Sequence, residues 1–147
     1  MFTKLWFWLS ISAAASWGLE YVLSEKLMKH LPTTMVLAFT YFAGAIVFTV
    51  YSLVTDKDLF FRVPTMGKDV LLLLAGVSIL WMVANYLIFA SIKASNATLA
   101  GMVEVTYPVF ALLFAWLLYK EVQLSPLALG GAALIFTGIG LILYATE

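Results

Sequence analysis

The sequence predicts an all-α integral membrane protein with about five transmembrane helices, and three observations carry that prediction. Hydrophobic residues make up 64% of the chain and charged ones 11%, against about 25% charged in average soluble domains. Mean hydropathy is +1.03. The few charges gather in short polar stretches between apolar runs of roughly 20 residues, the length a helix needs to cross a hydrocarbon core. No stretch is left for a soluble domain, so residues 1–147 read as one transmembrane domain.

Residues 5–23 are the first run. Lys4 before it and Ala13-Ala14-Ala15 inside it have the outline of a cleavable signal peptide. The run continues past the alanines through Trp17, Tyr21 and Val22, however, and reads as a span. A loop with Glu25, Lys26, Lys29 and His30 follows and closes on Pro32. Residues 35–54 are the second span, and 55–69 the longest polar connection. Residues 70–92 are the third. The link to the fourth span, 96–119, is so short that the two must be antiparallel neighbours. Lys120, Glu121 and Gln123 mark a surface, Pro126 suits a helix start, and 127–144 is the last span. Lys4, Lys57, Arg62, Lys68 and Lys120 fall on one side; Lys26, Lys29 and Lys93 fall on the other. That bias favours a cytoplasmic N-terminus only slightly and leaves dual insertion open.

Composition also excludes several classes. Eight basic and eight acidic residues give zero net charge, with no polybasic patch for nucleic acid. There is no cysteine, hence no disulfide or thiol chemistry. Phosphate loops, dinucleotide fingerprints and zinc spacings are missing, so neither an enzyme nor a cofactor is expected.

The chemistry gathers where polar groups enter the spans. Glu104 lies mid-way along the fourth, where a charge costs on the order of 3 kcal/mol on insertion scales. At helical offsets around it stand Ala97, Ala100, Gly101, Tyr107, Pro108 and Ala111, a small and polar face able to line a pathway. Glu20 is the acid of the first span, with Trp17 one turn away; a carboxylate beside an indole ring suits an organic cation. Glu20 is also near enough to the helix end to reach interfacial water. A membrane carboxyl that holds either a proton or a cation is what a proton-coupled exchanger needs. Asn85 in the third span shares a face with Ser78, Trp81, Met82 and Phe89, either to orient substrate or to bond across helices. His30 reads as solvated, Asn96-Ala97-Thr98 as a chance sequon, and Tyr41 and Trp116 as packing. In the last span Gly130, Ala133, Thr137 and Gly140 form a small stripe beside Gly131 and Gly138, suited to close helix packing within the chain or across a dimer seam.

Several of these residues fall in a familiar order. Trp17-Gly18, Pro32, the block from Ala94 through Pro108-Val109-Phe110-Ala111, Lys120-Glu121, and Gly130 through Gly138 resemble one EamA-type repeat of the drug/metabolite transporter superfamily. Members usually carry two such repeats in inverted orientation; this chain has one. Gly131, Leu134, Ile135 and Gly138 also resemble the segment that packs two subunits in the small multidrug resistance family. That resemblance implies a homodimer, often antiparallel, coupled through a first-helix glutamate, for which Glu20 is the counterpart; Glu104 matches neither family's pattern. Glu121 matches a commonly acidic, structural position.

The two resemblances imply a bacterial or archaeal cytoplasmic-membrane antiporter. The expected function is proton-coupled efflux of a small cationic or aromatic metabolite or drug, with membrane lipid as its surroundings. The expected substrate and proton site is Glu104, Glu20, Trp17, Tyr107, Asn85 and Trp81; the expected dimer interface is Gly131, Gly138, Leu134 and Ile135. An accessory subunit, or a flippase using Lys93 at headgroup depth, is the alternative.

Overall fold

A computed structural model describes residues 5–120 and 126–146, and every regular element among them is helical. Helix α1 spans Leu5–Leu27, running four residues past position 23. Glu25 and Lys26 do not stop it, because both are good helix formers. Pro32 then precedes α2, Thr33–Thr55, in extended backbone, and its carbonyl accepts from Met35 and Val36 at 3.0 and 3.1 Å.

The connection after α2 is more ordered than its polar composition implies. Lys57–Arg62 form a short helix, α3, and Val63–Thr65 a 3-10 turn built on Pro64. Helix α4, Lys68–Ala94, follows, with Asp69 in its first turn and Lys93 in its last. Each charge opposes the partial charge of its own helix end.

The expected fourth span is interrupted. It divides into α5, Ala97–Glu104, and α6, Tyr107–Tyr119. Pro108 explains the position of the break: it has no N–H to give the carbonyl four residues back, and its ring crowds that carbonyl. The residue four back is Glu104. The chain instead turns through Val105 and Thr106, whose N–H groups donate to the Gly101 and Val103 carbonyls at 3.3 and 3.1 Å. Lys120 ends α6 in the left-handed region, φ 57°. Helix α7 is Pro126–Thr146. Glu121 and Gln123 lie outside the described residues.

By length and composition, Thr33–Thr55, Lys68–Ala94 and the α5–α6 stretch Ala97–Tyr119 can each cross a membrane, and Leu129–Ala145 is a shorter apolar helix. Helix α1 is as long as α2 but is diluted by serines and Glu20. Large apolar side chains stand exposed along the helices, as in Leu72 at 72% and Val54 at 80%, which suits lipid rather than water.

The packed core lies at one end. Met28, Val36, Leu37, Phe89, Ile92, Ala97 and Ala100 are buried together, from the end of α1, the start of α2, the end of α4 and the start of α5. Two side-chain bonds close this end. Asn96 Oδ1 accepts from the Leu99 N–H at 2.9 Å, making the Asn-Ala-Thr triplet a helix cap. Glu25 Oε2 accepts from the Ala97 N–H at 2.8 Å, so α1 places a carboxylate on the positive end of α5.

Candidate functional site

From that packed end the helices diverge around a cavity of about 830 Å³. Helix α1 contributes Trp17, Glu20 and Tyr21, and α5 contributes Glu104. Helix α4 adds Ser78, Trp81 and Asn85, α2 a face from Leu37 to Ser52, and α3 its Phe60. Five of the six expected site residues therefore surround one space. Tyr107 does not join them. The break in front of Pro108 places it in a second cleft of about 660 Å³ between α1 and α5–α6.

The acids are held differently. Ser24, one turn on from Glu20, donates to Glu20 Oε1 at 2.8 Å, a contact within α1 that holds the carboxyl along its own helix. Glu104 Oε2 accepts from the Tyr21 hydroxyl at 2.5 Å, a contact between α1 and α5. Gly101 lies beneath the Tyr21 ring. A methyl group there would lie 3.5 and 3.7 Å from the Tyr21 ring, so the ring rests on bare backbone one turn before Glu104.

The electrostatics of the cavity are one-sided. Among the described residues two carboxyls line it, and no Lys, Arg or His does. Trp17 and Trp81 offer indole rings to a cation drawn in by those acids. Asn85 Nδ2 donates to the Trp81 carbonyl at 2.9 Å, and Ser78 to the Leu74 carbonyl at 2.8 Å, so each of these groups has one bond within α4. The described residues contain no cluster of His, Cys, Asp and Glu fit to hold a metal.

Most of the lining lay outside the expected set, and three of those residues are instructive. Tyr21 is adjacent to Glu20 in sequence, and sorting by helix face separates such neighbours. Phe60 sat in a stretch that composition marks as loop. Tyr41, expected to be packing, has its ring on the cavity wall, and its buried hydroxyl has no hydrogen-bond partner among the described residues. The signal was present in α2: Thr40, Tyr41, Gly44, Ala45, Thr49 and Ser52 recur at helical spacing and form its small, polar face.

The remaining expected residues lie elsewhere. On α7, Leu134 is 74% exposed, and a side chain added at Gly131 or Gly138 would meet nothing within 4 Å. Lys93 is exposed and lines neither cavity. Trp116 carries the Lys120 ammonium 4.7 Å from its ring centroid.

No curated protein and no solved structure matches the chain. The family model described as EamA-like transporter family matches residues 4–144, nearly the whole sequence. With its all-helical, lipid-suited architecture and a central cavity lined by acids, the chain belongs to the EamA-like transporter family, membrane transporters of the drug/metabolite transporter superfamily.

Proposed function

We propose that this protein is a secondary active transporter that exports a small cationic or aromatic molecule in exchange for protons, and that it works as a homodimer. The observation that carries the reading is the pairing of Glu20 and Glu104 around one cavity faced with indole rings and free of basic side chains. An anionic substrate would meet uncompensated like charge there, whereas an organic cation finds both charge and a π surface. Either carboxyl can exchange that cation for a proton, which is the stoichiometric requirement of antiport.

Dimerisation is supported by α7, where the glycine face has open space beside it within the chain. Inverted-repeat transporters place their substrate at the repeat interface near the bilayer midplane, and a second copy supplies the missing repeat. Glu104 sits about 10 Å along the α5 axis from its first residue, within the apolar stretch Ala97–Tyr119.

The test is binding of tetraphenylphosphonium to purified protein across acidic to alkaline pH. Wild-type binding should weaken as pH falls, since a protonated carboxyl no longer attracts the cation. Glu104→Gln should bind more weakly and with a shallower pH dependence, and the double variant with Glu20→Gln should bind weakly and equally at every pH. A pH dependence in Glu104→Gln as steep as that of wild type removes this acid from the coupling.

A further inference from the structure

The second cleft has no part in that reading, yet it opens onto the same acid. Trp17, Tyr21 and Glu104 line both spaces. Glu20 lines only the central cavity, so Glu104 is the carboxyl common to both.

Both spaces are mainly apolar, and both have aromatic rings and hydroxyls in their walls. They differ in the small side chains of the cleft. Beside Trp17, Tyr21, Tyr107, Ser10 and Thr98, it is surfaced by Ala13, Ala14 and Gly18 on one side and by Ala97, Gly101, Met102 and Val105 on the other. Small side chains leave a trough, and the thioether and valine give it an apolar floor. Among the described residues no Lys, Arg or His lines the cleft, so they offer no counter-charge to an anionic headgroup. Its charged wall residue is Glu104, at the junction with the central cavity. An apolar trough ending on a carboxyl fits an alkyl chain ending in a cation.

We propose that the cleft between α1 and α5–α6 takes the alkyl tail of a cationic amphiphile whose head is held at Glu104. The inference rests on the cation site proposed above and enlarges its ligand class from compact aromatic cations to single-chain amphiphilic ones.

Two glycines allow the spaces to be filled one at a time. Gly18 lines only the cleft and Gly44 only the central cavity, and a Cβ added at either meets nothing within 4 Å. The probes are methyltriphenylphosphonium and octyltriphenylphosphonium, which share a head and differ in tail, bound to the protein in lipid nanodiscs. Comparing the octyl-to-methyl affinity ratio between variants cancels partitioning into lipid. Wild type should prefer the octyl cation by about tenfold or more. Gly18→Leu should reduce that preference to about onefold, whereas Gly18→Ala, too small to fill the trough, should retain most of it. Gly44→Leu should weaken both cations and keep their ratio. A ratio in Gly18→Leu equal to wild type overturns the inference and leaves the cation site standing. Failure of wild type to bind either cation overturns both.

Discussion

Tyr21 and Glu104, 83 residues apart in sequence, meet through a hydroxyl-to-carboxyl hydrogen bond of 2.5 Å that joins α1 to α5. A third residue borders the contact: the Tyr21 ring packs over Gly101, where an added methyl group would just touch it and a bulkier side chain would displace it. Tyr21 and Glu104 also line both spaces, so the bond forms part of the partition between them.

The partition should behave as a coupled unit. Tyr21→Phe keeps the ring on Gly101 but removes the donor, and should cost about 1–2 kcal/mol of stability. Gly101→Val should cost about 1–3 kcal/mol by displacing the ring. Because both changes break one hydrogen bond, the double variant should lose less than the sum of the two. Thermal melting of the four proteins in detergent gives the cycle; strict additivity would show the two residues acting independently.

Glu25 and Asn96 are expected to be structural. Asn96→Ala removes the side-chain cap of α5 and should cost about 1 kcal/mol. Glu25→Gln keeps an acceptor for the Ala97 N–H but loses the charge on the helix end, and should cost about 0.5 kcal/mol. Tetraphenylphosphonium affinity should change less than about threefold in either case. A larger loss would place the packed end of the bundle in the binding event.

Pro108 should trade stability against function. Pro108→Ala restores an N–H for the Glu104 carbonyl and lets α5 run on into α6. Proline in a helix interior is about 3 kcal/mol less favourable than alanine, so melting should rise or hold. The continuous helix re-aims Glu104, and cation binding should fall about tenfold or more. Unchanged binding in the more stable variant would mean that the break does not set the position of the acid.

On α7, Gly131→Leu with Gly138→Leu should abolish the homodimer while leaving the monomer folded, because a Cβ at either position has open space beside it within the chain. Native mass spectrometry in detergent reads the oligomer, and far-ultraviolet circular dichroism reads the fold. Dimers at wild-type abundance would move the seam away from this face.

Hydropathy marks the helical runs, and the rarity of acids in lipid points to Glu20 and Glu104; both are consequences of a low-dielectric solvent that sequence records directly. What sequence hid was local geometry inside apolar stretches. The α5–α6 break follows from Pro108 and its carbonyl partner four residues back, but an uninterrupted apolar run masks it. Tyr107 left the central cavity for the same reason, and shares only the cleft with Trp17 and Glu104. Tyr21 was hidden differently. Its partner is distant in sequence, and its ring packs over the backbone of a helix that is also distant, at Gly101. Phe60 shows the limit of composition, for two aromatic residues in a polar connection formed a helix that lines the cavity wall.

The burial of the core at one end of the bundle has a mechanical consequence. Helices bonded together at Met28, Val36, Ile92 and Ala97, and parted by a cavity further along, resemble tweezers held at the joint. Rocking costs little at the tips and much at the joint, so movement should concentrate around Ser52, Phe60 and the first turns of α4. Amide hydrogen exchange should record the gradient, fast near Lys68 and slow near Ile92, along a single unbroken helix.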